Sequence, residues 1–436
     1  MPISPAEDVL KTTLVDLKTQ NPTLGISKIH ALLLKERPDW VVSEKRTKKI
    51  LQSEGLTTTT APANGVASAS QLSVYPTSRL IPNLDLAKWT SKVQVKMFDR
   101  TKGKGLVANS EIQEGELLWK EDPFTISPEW EIYDLVVQGR ACALCTTVFQ
   151  DSPLIIPCPA SSSSCYCSAR FCNRLCLARS AKVHPLLCTA ANPASAPLVK
   201  FARENEWLAL ASLTQCISRV LLANQYDDAT LRADWNVMRS FATLGMEERA
   251  KYSYDIREPD RATWKKAHQL IIQAFKEPKN TADQRKLAKI LKKPLPDEID
   301  AEFFTYDPGF LRNLGKMSLN LEAHGGLFTL HSHMNHSCRP NISVRHLDRR
   351  TALSRISVVA KRPIAAGEEL TITYVNPELP YKSRQEELRA WGFGACHCER
   401  CVSEERLFKL NPVVSDESRP DVDDLARELK AGFGIF

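Results

Sequence analysis

Apolar positions change period several times along this chain, and each change marks an expected boundary. Within residues 5–55, Val9, Leu10, Leu14 and Leu17 form one stripe at helical spacing. Ile26, Ile29, Leu32, Leu33 and Leu34 form a second, ended by Pro38. Ser43 is placed to cap a third helix through Lys45, Arg46, Lys48, Lys49, Ile50 and Leu51, with Gly55 as its stop. Residues 56–85 then run through Thr, Ala, Gly, Ser and Pro with almost no charge, which reads as a flexible linker. From Val93 the period shortens: Val93, Val95 and Met97 alternate with polar residues, and Leu106 to Ala108, Ile112 and Leu117-Leu118 continue strand-like. Helical spacing returns over residues 196–293. There Phe201, Trp207, Leu210, Leu213, Ile217, Val220 and Leu221 recur, followed by a cluster from Trp264 to Phe275, and they read as core. Asn341 to Val359 reads as short strands joined by a polar turn at Asp348-Arg349-Arg350. Ala366-Gly367 then turns the chain into a β-rich run ending at Tyr374. Asp423 to Lys430 reads as a short amphipathic helix with Leu425, Leu429 and Phe433 on its apolar face. The pattern predicts an α+β fold whose β portion is interrupted by helices.

With 436 residues, 43% hydrophobic and 25% charged, the chain has room for two or three domains with a sizeable core. Its formal charge of +7 is spread along the chain, which permits an acidic or nucleic-acid partner without requiring one. No apolar leader is present and no run approaches ~18 apolar residues, so a soluble, intracellular protein without a membrane segment is expected. The basic third helix admits a helix-turn-helix reading with weak nucleic-acid contact. It lacks an aromatic or amide-bearing reading face, so a docking module with a solvated charged face is the simpler account. The basic segment Arg285 to Lys293 reads in the same way, as a solvated helix face.

Candidate chemistry sits in three places. Thirteen cysteines gather mainly within residues 142–188 and at 396–401, a pattern suited to metal in a reducing compartment rather than to disulfides. Cys142-x2-Cys145, Cys158, Cys165, Cys167, Cys172-x3-Cys176 and His184-x3-Cys188 offer soft ligands for two tetrahedral zincs. Cys396-x-Cys398-x2-Cys401 lacks a fourth ligand, and Cys338 is the candidate to close the site, which would draw two distant segments together. With every ligand consumed, such sites are structural or docking elements rather than catalytic ones. Lys102-Gly103-Lys104-Gly105-Leu106 reads as a tight loop with backbone close to a ligand, or as an ordinary turn. His331 and His333 alternate with Asn335 and read as strand surface or packing.

Asn335-His336-Ser337-Cys338, the strand Glu369-Leu370-Thr371-Ile372-Thr373-Tyr374 and the cysteine clip behind it stand in one order. In that order they resemble the SET-domain protein lysine methyltransferases of the SET-and-MYND-like group. The likeness is greatest to fungal histone H4 lysine methyltransferases with a split SET domain. The resemblance implies a three-helix unit (5–55), a linker (56–85), a first SET half (92–140) and a MYND-like zinc finger (141–190). It then implies a helical insertion (196–325), a second SET half (326–376), a post-SET zinc clip (390–404) and a tail with a short helix (405–436).

Carried over, the first zinc takes Cys142, Cys145, Cys172 and Cys176, and the third takes Cys338, Cys396, Cys398 and Cys401. The second takes Cys167, His184, Cys188 and one of Cys158 or Cys165. Here the serine run Ser161 to Ser164 departs from the family spacing, and the tight Cys165-x-Cys167 pair favours Cys158. The resemblance also implies S-adenosylmethionine between the Lys102–Leu106 loop and Asn335-His336, its carboxylate near Lys102 and Lys104, with Asn320 as a further contact. The family often has arginine and asparagine where this chain has the two lysines. Tyr374 would be the catalytic group at the base of a lysine channel, also bordering the cofactor, and Phe393 one wall of the cofactor or lysine pocket. The expected partner is a histone H4 tail or nucleosome, for a monomer in the nucleus with a cytoplasmic pool. Lysines of other proteins are the alternative substrates. A silent SET fold with a docking finger, or a nucleic-acid regulator led by residues 5–55, would be different accounts. Intact Asn335, His336 and Tyr374 argue against the silent one.

Overall fold

The first two stripes fold as expected. In the computed structural model, α1 (Glu7–Gln20), α2 (Ile26–Glu36) and α3 (Glu44–Ser53) pack pairwise. They close around Leu10, Leu14, Ile29, Leu33, Ile50 and Leu51. Each such aliphatic side chain contributes roughly 1.5–3 kcal/mol on burial. Val9, placed in the expected stripe, is 53% exposed, because a residue adjacent to Leu10 points about 100° away from it. The Ser43 hydroxyl accepts from the Arg46 N–H at 3.3 Å, the expected cap. Lys45, Lys48 and Lys49 face solvent.

The structure describes residues 4–5, 7–21, 26–53, 75–99, 101–150, 152–251, 259–346 and 354–410. These divide into two units, Met1–Leu72 and Ser73–Phe436. Residues 56–74, the expected turn at 348–350 and the expected helix at 423–430 lie outside the described residues.

In the second unit β1 (Val93–Met97), β2 (Lys104–Ala108) and β3 (Leu117–Glu121) precede a short β4 (Thr125–Ile126). β5 (Ile156–Pro157) and β6 (Arg170–Phe171) form a hairpin within the cysteine-rich stretch. β7 (Gly326–Leu327), β8 (Asn335–His336), β9 (Ile342–His346), β10 (Ile356–Ala360) and β11 (Glu369–Ile372) complete the set. One sheet has the order β1-β2-β11-β8 and another β3-β10-β9, while β4 pairs with β7. The sheets thus join strands from either side of the insertions. β2 and β10, each central to its sheet, are buried at every position, so alternation vanishes there. Leu106, Trp119, Phe328, Leu330, Val358 and Leu370 make the core between the sheets.

The helical insertion is built around Leu208–Tyr226, which buries Leu210, Leu213, Ile217, Val220 and Leu221 as its spacing predicts. Asp227, Asp260 and Asn280 cap the helices that follow them through side-chain oxygens. Arg219 makes a two-pronged pair with Asp234, at 2.9 and 2.8 Å, and its guanidinium lies 4.1 Å from the Phe124 ring centroid. That contact ties the insertion to the segment behind β3.

Two boundaries differ from expectation. The linker expected to run to residue 85 gives way by Tyr75 to ordered chain: Thr77 pairs with Thr243, and Leu84 and Leu86 pack on the inter-sheet core. Composition misses this because a chain without regular structure is still fixed when its backbone bonds to a neighbour. The expected boundary between clip (390–404) and tail (405–436) falls inside a helix, Glu399–Leu410. Among the described residues no helix is long and apolar enough to cross a membrane.

Candidate methyltransfer site and zinc clusters

Three groups of four ligands come together, each with its ligand atoms within 4.8 Å of one another. They are Cys142, Cys145, Cys172, Cys176; Cys158, Cys167, His184, Cys188; and Cys338, Cys396, Cys398, Cys401. Sulfur–sulfur separations of 3.5 and 3.9 Å in the first, 3.6 Å in the second and 3.4 Å in the third suit zinc. A tetrahedron with Zn–S near 2.3 Å has edges of roughly 3.8 Å. His184 Nε2 lies 3.3 Å from Cys158 Sγ and 3.8 Å from Cys167 Sγ. Cys165 stands outside the group, its sulfur 3.2 Å from Lys286 Nζ. The serine run causes this: Ser161 Oγ accepts from the Cys167 N–H and Ser162 Oγ from the Cys165 N–H, folding the extra residues outward.

The third cluster has supports that sequence reading missed. Gln385, on the helix Tyr381–Ala390, donates to the Cys396 carbonyl at 3.0 Å and accepts from the Cys396 N–H at 2.8 Å. Fully buried Arg384 pairs with Glu404 and places Nη2 3.9 Å from Cys401 Sγ, where its charge offsets that of clustered thiolates. Arg400 donates to the carbonyls of Cys338 and Pro377 at 3.3 and 2.7 Å. No ligand-type residue among these flags such a role in the sequence.

Sheet pairing assembles the central site. β8 runs parallel to β11, matching Asn335 with Thr371 and His336 with Ile372, and β11 pairs antiparallel with β2. This brings the Lys102–Leu106 loop beside Asn335, which donates through Nδ2 to the Lys104 carbonyl at 3.0 Å and to Glu369 at 2.9 Å. A Cβ on Gly105 would collide with Phe98 and lie 2.9 Å from Asn335 Nδ2, so glycine allows the approach. His336 Nδ1 accepts from the Tyr374 N–H at 3.0 Å, leaving Nε2–H to donate to Cys338 Sγ at 3.3 Å. Burial holds this imidazole neutral, pulling it down to about 4. Tyr374 donates its hydroxyl to the Met334 carbonyl at 2.8 Å, and burial keeps the phenol protonated, well above its ordinary range. The Phe393 ring lies 4.9 Å from that of Tyr374.

The two loop lysines behave differently. Lys102 is half exposed, pairs with Glu369 and lies over the Phe98 ring at 4.6 Å. Lys104 is buried, and its amine contacts the Ser332 hydroxyl at 3.3 Å with no carboxylate paired to it among the described residues. Desolvation alone pulls it down to about 7. Leu106 turns its side chain into the core. Asn320 engages backbone instead: Oδ1 accepts from the Ala242 N–H at 3.1 Å, and Nδ2 donates to the carbonyls of Ala242 at 2.8 Å and Lys316 at 2.7 Å.

His331 and His333 lie on a 3-10 turn rather than a strand. His333 is a packed residue, with Nδ1 2.9 Å from the Thr329 carbonyl. What orders that turn is Glu121, a buried carboxylate accepting from the N–H groups of Leu330 at 2.8 Å, His331 at 3.0 Å and the Trp119 indole at 3.2 Å. Burial pushes it up to about 7 despite those bonds. It belongs to no motif, and the sequence offers no signal for it. A separate cleft of about 1060 Å³ lies among Phe124, Trp130, Leu175, Val183 and Val199 and contains neither Asn335 nor Tyr374. The expected site residues are gathered by sheet pairing, apart from this cleft.

A family model described as SET domain matches residues 103–375, more than half of the chain, and the protein belongs to the SET-domain family. The histone-lysine N-methyltransferase SET5 of Yarrowia lipolytica is 31% identical to it over 407 residues, 90% of this chain and 81% of the relative. The SET5 enzyme of Mycosarcoma maydis is 29% identical over 75% of this chain and 73% of its own. That of Scheffersomyces stipitis is 27% identical over 99% and 89%. The chain is accordingly an S-adenosylmethionine-dependent protein-lysine methyltransferase related to the SET5 enzymes, with three clusters fit to hold zinc.

Proposed function

We propose that this enzyme methylates lysines of histone tails, histone H4 foremost, on chromatin in the nucleus. The reading is supported by the SET5 relatives, which are named as histone-lysine methyltransferases and align along nearly the whole chain. In the same reading, residues 142–188 are a MYND-like finger and the Cys338–Cys401 cluster is the post-SET clip. S-adenosylmethionine supplies the methyl group on a positively charged sulfur. The Lys102–Leu106 loop, Asn335 and His336 hold the cofactor, and Lys104 faces its carboxylate. The single observation behind that role is a buried amine without a paired anion beside this loop. Tyr374, neutral and fixed by Met334, directs its oxygen at the lysine amine, while Phe393 walls the channel and excludes water. Asn320 acts through Ala242, whose position it holds. The test is mass-spectrometric localisation of methyl groups transferred to nucleosomes and to a cell extract. Methyl groups on H4 tail lysines are the expected result. Methylation confined to non-histone proteins would overturn the substrate assignment and leave the chemistry intact.

A further inference from the structure

We propose that Tyr75–Ser78 form a strap that shapes the cofactor loop, with Ser78 as a positioning residue for cofactor binding and Tyr75 as added wall beside Phe393. The strap lies outside the family match, which begins at residue 103, and within the second unit. Four residues reach three distant segments. Ser78 Oγ accepts from the Lys104 N–H at 3.1 Å, and a Cβ on Gly103 would sit 2.6 Å from that oxygen. Gly103 has φ +72°, so two constraints together demand glycine there. Thr77 and Thr243 exchange backbone hydrogen bonds of 2.9 and 2.8 Å, next to the Ala242 that Asn320 clamps. The Tyr75 ring packs on Gly394, where a Cβ would lie 2.7 Å from its Cε1. Gly394 directly follows Phe393. Pro76 confines its own φ and biases Tyr75 to extended backbone, which lets so short a segment span the three contacts.

The strap acts through the loop. Ser78 fixes the Lys104 N–H, and the carbonyl of that same residue takes the Asn335 amide at 3.0 Å. Losing the serine oxygen leaves a half-buried N–H without its acceptor and frees the peptide that sets the gap between loop and Asn335. The inference rests on the reading that this loop and Asn335 hold the cofactor. The experiment uses full-length Ser78→Ala, Ser78→Thr, Tyr75→Ala and Asn335→Ala. It measures S-adenosylmethionine affinity by calorimetry, kcat on a peptide at saturating cofactor, and zinc content. Ser78→Ala is expected to weaken affinity roughly 5–20-fold, from one lost hydrogen bond, with kcat within about twofold and zinc unchanged. Ser78→Thr, which keeps the oxygen, is expected to restore most of the affinity. Tyr75→Ala is expected to weaken S-adenosylmethionine affinity in the same direction through lost packing on Gly394. If Asn335→Ala weakens binding while Ser78→Ala and Tyr75→Ala bind as the parent does, the strap has no such role. If Asn335→Ala also binds as the parent does, the cofactor site itself is misassigned and the strap proposal falls with it.

Discussion

Tyr374 offers one oxygen that phenylalanine lacks, and its surroundings decide what that oxygen does. Burial keeps the phenol protonated, and its only proton is committed to the Met334 carbonyl at 2.8 Å, so in the proposed role the oxygen meets the amine through its lone pairs. Tyr374→Phe keeps ring and volume, so cofactor affinity should stay within a few-fold. Its methylation rate should fall about 10²–10³, the cost of one preorganised polar group. Calorimetry with initial rates on a confirmed substrate checks both, and a rate within about threefold of the parent would place the channel elsewhere. Lys104 carries a pH signature. Its folded value of about 7 lies below the ordinary 10.5, so the buried ammonium costs stability at and below pH 7, and stability recovers as pH rises from 7 to 10.5. A cofactor carboxylate favours the charged amine, so affinity should decline as pH climbs through about 7. His333, the titratable group beside it, is held neutral by burial and adds no slope there. Lys104→Met should weaken binding most near pH 6, flatten the profile and raise thermal stability of the cofactor-free protein at that pH. An equal pH slope in parent and variant would remove the lysine from the site. The placing of Tyr374 and Asn335 around one pair of strands was legible in the sequence because a motif carries each. Glu121 was not, since a buried carboxylate that accepts backbone N–H groups works from any position the fold delivers.

Elements were most legible where one spacing forces one geometry. The family resemblance grouped the cysteines as the structure groups them, leaving only Cys158 and Cys165 as alternatives, because four soft ligands must converge within a few ångströms of one ion. Where spacing was ambiguous, local turn chemistry decided: the hydroxyls of Ser161 and Ser162 fold Cys165 outward toward Lys286. Native mass spectrometry should therefore count three zincs in the parent and in Cys165→Ser, and two in Cys158→Ser. A lost zinc in Cys165→Ser would reverse the assignment. Helical stripes were equally plain in the insertion, where Leu208–Tyr226 buries the residues its period selects. The strap was missed because it has no period: Tyr75-Pro76-Thr77-Ser78 has the composition of a linker, and its order comes from partners distant in sequence. Asn320 shows a bond that its sequence position does not announce. Its position in the order of motifs pointed at the cofactor, while its amide meets the Ala242 backbone.

At the scale of the whole molecule, the chain is two units with separate cores, and the division at residue 72 decides how a truncation should be read. The three-helix unit presents Lys45, Lys48 and Lys49 to solvent and contains none of the loop, sheet or cluster residues of the methyltransfer site. Such a unit can raise the local concentration of an anionic substrate without touching the chemistry. Removing residues 1–72 leaves the strap, Leu84 and Leu86 in place, so methylation of a short peptide should stay within about threefold of the parent. Methylation of a nucleosome should fall, most of all at low salt, because the lost contacts are screened as ionic strength rises. Removing residues 1–85 takes the strap and Leu84 as well, and peptide methylation at limiting cofactor should then drop well below that of the shorter truncation. The two truncations, assayed on both substrates across a salt series, separate substrate recruitment from cofactor-loop support. An equal loss on the peptide from both cuts would mean that the three-helix unit is itself part of the catalytic fold. Equal activity on the nucleosome from the parent and the shorter truncation, at every salt concentration, would mean that its basic face recruits nothing.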